Sequence, residues 1–204
     1  MKRHTIRIVA GAIAIVGLLT ACNDNKPGTA AAPSPANAAP QAGPENSKID
    51  PNLKVPKPLP TQALIDNPCS ALRDSDATAL GLAAPGEVFG KDSIPSCRWT
   101  SMQSRLNQAF FSPLTPNKHG ISDIYAQKSK EAYFEPTTVN GYPAVYADQF
   151  DSRASGACSL WIGVTDQLAV DVSADIGTGR NKADPCGAVT KIATAVVSGL
   201  QAAS

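Results

Sequence analysis

The stretch CSLWIGVTDQLAVDV, Cys158–Val172, alternates apolar and other residues with a period of two. Cys158, Leu160, Ile162 and Val164 fall on one side, and after Thr165-Asp166-Gln167 the alternation resumes with Leu168, Val170 and Val172. Successive strand side chains point to opposite faces, so this spacing predicts a hairpin with one buried face. A lone hairpin is marginal in water and needs something to cover that face.

The cover is legible at the end of the chain. In DPCGAVTKIATAVVSGL, Asp184 is a cap candidate, Pro185 suits the first helical position, and Val189, Ile192, Ala193, Val196, Val197 and Leu200 recur at helical spacing. This is an amphipathic helix laid against a sheet.

Working outward, SCRWTS (96–101) and NQAFFSPL (107–114) are β-rich runs bounded by Pro and Ser. TTVNGYPAVYAD (137–148) carries Asn140-Gly141, the strongest short hairpin signal, between β-branched and aromatic residues. Before them, Pro68 beside Cys69 suits a first helical turn capped by Asn67, and Asp74 or Ser75 can cap a second short turn ending at Gly81. ISDIYAQKSKEAYF (121–134) predicts a helix with Ile121, Ile124, Tyr125 and Ala132 along one side. There is no internal repeat. The pattern is α+β: a single domain with an antiparallel sheet flanked by helices.

Residues 1–21 have the three-part layout of a secretory signal: a basic head with Lys2, Arg3 and Arg7, the uncharged run IVAGAIAIVGLL (Ile8–Leu19), and small residues before a cysteine. The apolar run falls short of the roughly 20 residues a membrane-spanning helix needs. Leu19-Thr20-Ala21-Cys22 resembles the bacterial lipobox, in which the cysteine thiol receives a diacylglyceryl group and becomes the new N-terminus. Two acyl chains give stable anchoring where one is marginal. The expectation is a protein lipid-anchored through Cys22 on the extracytoplasmic face of the cell membrane.

Residues 22–62 are rich in Pro and Ala, with no aromatic residue and no periodic apolar face. They read as a tether, followed by the folded domain at 63–204. Formal net charge is +1, and loss of Lys2, Arg3 and Arg7 with the signal takes it to −2. That is no footprint for nucleic acid.

Setting Cys22 aside leaves Cys69, Cys97, Cys158 and Cys186. An even, widely spaced set in an exported chain reads as two disulfides. Three connectivities are open. Cys69 to Cys97 with Cys158 to Cys186 is favoured because each bridge would pin a helix start onto a strand. No C-x-x-C spacing is present and His119 is the sole histidine of the mature chain, so no metal or cofactor is expected.

The order NPCSAL, CRW, NGYPAV, CSLWIGV and DPCGAVTKIATAVVSGL, behind a lipobox and a Pro/Ala tether, resembles the actinobacterial lipoproteins, mycobacterial members included, of domain-of-unknown-function family 3558. The resemblance covers about Leu64 to Leu200, and its cysteine frame is the most specific part. It implies an exported lipoprotein with one α+β domain and carries over no reaction, cofactor or catalytic residue. In element order the chain is also loosely similar to PsbP-like domains.

Catalytic constellations are thin. A Ser/His/Asp or Cys/His site would have to use His119, which beside Gly120 reads as a loop residue. Asp148 with Asp151, or Asp74 with Asp76, are the candidate carboxylate pairs, and such close neighbours usually cap helices or face solvent. Gly177-Thr178-Gly179 before Arg180 lacks the lysine and spacing of a phosphate loop and reads as a turn. Trp99, Phe110, Phe111, Tyr142, Tyr146 and Trp161 lie on predicted strands and are expected mainly in the core, with an apolar groove as the alternative.

The sequence therefore points to a non-enzymatic binding or accessory module of the cell envelope. Its partner would be an envelope protein, a wall component or a lipid. The alternatives are a carrier or sensor of a hydrophobic ligand and, third, a wall hydrolase.

Overall fold

In the computed structural model, residues 49–204 are described. Leu19, Thr20, Ala21 and Cys22, with the signal and most of the tether, lie outside the described residues. Seven strands form one antiparallel sheet in the order β1-β2-β3-β7-β6-β5-β4. They are β1 (Glu87–Phe89), β2 (Ser96–Thr100), β3 (Asn107–Pro113), β4 (Tyr133–Val139), β5 (Tyr142–Asp148), β6 (Ala157–Gly163) and β7 (Ala169–Ile176). The hairpin of Cys158–Val172 is β6–β7, at the middle of the sheet.

Four α-helices accompany the sheet among the described residues: α1 (Gln62–Asp66), α2 (Asp74–Ala79), α3 (Ile121–Tyr125) and α4 (Pro185–Ala202). Helix α4 begins as expected, with Pro185 in its first turn and Asp184 Oδ1 accepting from the Gly187 N–H at 2.9 Å. Its buried stripe of Val189, Ile192, Ala193, Val196, Val197 and Leu200 packs on β6 and β7, over Leu160, Ile162, Val170 and Val172. Residues 140 and 141 both take left-handed φ, 49° and 85°, which is why Asn-Gly is needed at the β4–β5 turn. The turn is tied to α4 by Asn140 Nδ2 donating to Ser198 Oγ at 2.9 Å.

Both bridges pin a helix start onto a strand. Cys69, in the 3-10 turn Pro68–Ala71, joins Cys97 of β2, and Cys186 at the head of α4 joins Cys158 of β6; the Cα separations are 4.9 and 5.2 Å. Asn67 caps that 3-10 turn by accepting from the Cys69 N–H. Trp99 packs deep beside the first bridge. A side chain on Gly86 would lie 2.5 Å from Cys97 Sγ and 2.6 Å from Trp99 Nε1, so only glycine lets the β1 edge approach there.

Three expectations need correction. The helix over 121–134 stops at Tyr125. Ala132 is exposed, Lys128–Lys130 forms a polar 3-10 turn, and Tyr133 and Phe134 pair with Asp148 and Ala147 as the start of β4. A helical face that offers only Ala132 after Tyr125 loses to a strand that has a partner.

Helix α2 has no capping side chain: Asp74 is its first residue and Arg73 stands at the cap. Strand β1, exposed at all three residues, has no alternating pattern to read.

The tether does not run free to residue 62. Residues 50–59 form a strap around one end of the sheet. The Asp50 N–H donates to Ser122 Oγ, the Val55 N–H to Asp166 Oδ1 and the Leu59 N–H to the Val164 carbonyl, while Tyr142 Oη donates to the Lys57 carbonyl at 2.8 Å. Leu59 is buried in the core under α4, and Leu53 packs on the opposite side of the sheet. The domain therefore starts about a dozen residues earlier than composition indicates.

Each disulfide closes a separation of 28 residues, a loop for which chain entropy gives roughly 3.5 kcal/mol. Cys158→Ala with Cys186→Ala should lower urea-unfolding free energy by about 2–4 kcal/mol. Leu59→Ala should cost about 2–4 kcal/mol by opening the strap's only buried anchor. An unchanged unfolding midpoint for Leu59→Ala would show the strap to be loosely held.

Candidate functional site

The sheet's two faces are filled differently. The first carries the main core beneath α4. On the second, Ile121, Val145, Ala147 and Ala169 form a smaller cluster with Leu53, Ile124, Tyr125, Phe134 and Trp161. That cluster takes in no residue of β1 or β2.

Beyond it the strand registers set two rows side by side. One runs Arg98, Phe110, Ser173, Ser159 across β2, β3, β7 and β6. The next runs Ser96, Ser112, Asp171, Trp161, with Ser96 Oγ and Ser112 Oγ 2.7 Å apart. Apart from Ser96 and the shielded carboxyl of Asp171, these side chains are only half-buried. Phe89, 40% exposed, meets Phe110 edge to face at 5.9 Å.

Trp161 stands where the rows meet the small cluster, its indole N–H held by the Ala147 carbonyl at 2.8 Å. Beside it opens a cleft of about 330 Å³ lined by Ile124, Gln127, Glu131, Asp148, Gln149 and Phe150. Phe150 is 75% exposed at its rim.

Three carboxylates act on one another here. Asp171 Oδ2 accepts from Ser173 Oγ at 2.8 Å, while its Oδ1 is shielded from solvent without a hydrogen-bond partner among the described residues. Burial, with Asp148's charge adding to it against the Ser173 bond, pushes Asp171 up to about 7. Burial and then Asp148 also raise Glu131. Asp148 itself accepts from Ser159 Oγ at 2.9 Å. The arrangement offers a carboxyl that can hold a proton near neutrality, several hydroxyls and two flanking aromatic faces.

The carboxylate pairs read from the sequence do not come together. Asp151 is taken by Arg153, which holds it down at about 2 and also bonds Glu135. Asp76 pairs with Arg73, and Asp74 lies in the first turn of α2. Asp148 converges instead with Asp171, a residue the sequence reading passed over. The available signal was a carboxylate at a between-valines position of a buried strand.

His119 serves structure. Its Nδ1 lies 3.0 Å from Asp123 Oδ1, and Asp123 Oδ2 accepts the N–H groups of Lys118 and His119. Burial pushes Asp123 up, but these bonds together outweigh it and hold the carboxyl below its usual range. Of the six aromatics, Trp99, Phe111 and Tyr142 are buried, and Tyr146 packs under α4 with its hydroxyl on Thr190 Oγ1. Phe110 and Trp161 face the other way.

Fold and site together define an α+β domain with a helix-covered face and a half-open face of aromatic and hydroxyl-bearing residues. Its family model, described as a protein of unknown function (DUF3558), matches residues 17–198, and the chain belongs to that family. No curated protein and no solved structure matches it.

Asp171 is protonated more readily folded than unfolded, so the stability it contributes is complete below about pH 4 and lost as pH rises through about 7. Urea titrations stepped from pH 4 to 8 should show a decline of up to about 4 kcal/mol that Asp171→Asn removes. Parallel pH profiles for the two proteins would contradict this placement of Asp171.

Proposed function

We propose that this protein is an exported actinobacterial lipoprotein, anchored by diacylglyceryl-Cys22 on the extracytoplasmic face of the membrane. Its domain acts as a non-enzymatic binding module for a wall polymer. One observation carries the binding reading: the half-open sheet face, with Phe110 and Trp161 among Ser112, Ser159, Asp171 and Ser173. A long hydroxylated chain can lie along such a surface and exchange hydrogen bonds at each step, whereas a buried small-molecule pocket would enclose its ligand. The lipobox motif and the Pro/Ala-rich tether support display at that location.

The hydrolase reading has one observation in its favour, the raised Asp171 within the field of Asp148. Among the described residues no histidine base accompanies them, since His119 is engaged by Asp123.

The test is cosedimentation of the full chain with purified wall sacculi. Phe89→Ser combined with Phe110→Ser should reduce the bound fraction at least about fivefold, the loss of roughly 1 kcal/mol. Undiminished binding would sink the sheet-face assignment. Release of soluble wall fragments, abolished by Asp171→Asn, would replace the binding reading with the hydrolase. In cells, Cys22→Ser should move the protein from the membrane to the soluble fraction, and retention would remove the lipid anchor from the proposal.

A further inference from the structure

On the opposite side of the sheet from that surface, a second cleft opens where the head of α4 diverges from β3 and β7. Its inner part, about 100 Å³, has an apolar floor of Leu80, Leu82, Ala109, Ala174, Ile176 and Ile192, with Ser101, Asn107, Gln108 and Asn181 also on its walls. It adjoins a polar mouth of about 480 Å³ that includes Ser104, Thr178, Arg180 and Asn181, and Lys191 borders both parts. No carboxylate lines either part. Among the described residues Arg180 and Lys191 make no ion pair and no side-chain hydrogen bond.

The mouth is shaped rather than loose. Asn107 clamps the loop that carries Arg180, its Oδ1 accepting from the Thr178 N–H at 3.0 Å and its Nδ2 donating to the Thr178 carbonyl at 3.1 Å. The backbone that carries Lys191 is set by α4, whose head is held by the Cys158–Cys186 bridge and the Asp184 cap.

We propose that this cleft binds a carboxylate carrying a short apolar group, independently of the sheet-face site. The apolar group enters the floor and the carboxylate lies between Arg180 and Lys191. Charge complementarity selects the anion: two cations line one mouth that holds no carboxylate, and a guanidinium offers a carboxylate paired donors. Size selects the apolar group. An apolar cavity of roughly 150 Å³ takes benzene, so this smaller floor accepts about four carbons and excludes a long acyl chain. The chemistry is shared by a free short-chain carboxylic acid and by the C-terminal residue of a peptide ending in Val or Leu.

The full chain in nanodiscs of zwitterionic lipid would be titrated by saturation-transfer NMR with pentanoate and with N-acetyl-glycyl-leucine, each beside its neutral amide. At least one acid should bind, and its amide should bind about tenfold more weakly or worse. Which acid responds identifies the source. Arg180→Gln with Lys191→Gln should weaken binding by about tenfold or more. Ala188→Leu, which fills the floor from α4, should abolish it with the unfolding midpoint retained. Amides binding as tightly as acids, charge variants binding unchanged, or no signal from either acid to about 10 mM would each overturn the proposal.

Discussion

The contact between the apolar stripe of α4 and the centre of the sheet is what the remaining structure hangs on. Six stripe residues, Val189 to Leu200, bury themselves over β6 and β7, and the Cys158–Cys186 bridge fixes the helix head to the strand beneath it. With that face sealed, the sheet can leave part of its other face half-covered. Burial on one side supplies the cohesion, so the second side need supply only the small cluster around Val145 and Ala169. The same contact positions the cleft beside Lys191, which opens between the first turns of α4 and the ends of β3 and β7.

Much of this architecture is legible in the residues. Period two at Cys158–Val172, period 3.6 at Val189–Leu200 and Asn140-Gly141 each state a local geometry that the tertiary fold then uses. Such elements are readable because local propensity and burial agree. The elements that escaped are those where they do not. Strand β1 is exposed at each of its three residues and leaves no periodicity. The segment after Tyr125 has helix-favouring residues but pairs with β5 through Tyr133 and Phe134. The strap at 50–59 has the composition of a linker and is held through backbone groups, using donors and acceptors every residue possesses.

The site was less legible than the fold for a related reason. Asp148 ends β5 and Asp171 lies within β7, with all of β6 between them in the sheet, so their approach cannot be read from neighbouring positions. Neighbouring carboxylates such as Asp148 and Asp151 attract attention on paper, yet Arg153 removes Asp151 from the site altogether. An aspartate between two valines on a central strand is costly unless its surroundings use it, and that cost was the available clue.

The strap also decides how the domain bears load. A pull on the chain from its N-terminal side does not reach an edge strand, where hydrogen bonds would open one after another. It is delivered through Leu59, Val55 and Lys57 to Val164, Asp166 and Tyr142, at the turn end of the innermost hairpin. Tension is thereby shared across strands paired on both sides, and the first thing to yield is a renewable set of backbone contacts rather than the sheet. Slack in the strap would take up the first part of an extension before the paired strands felt it.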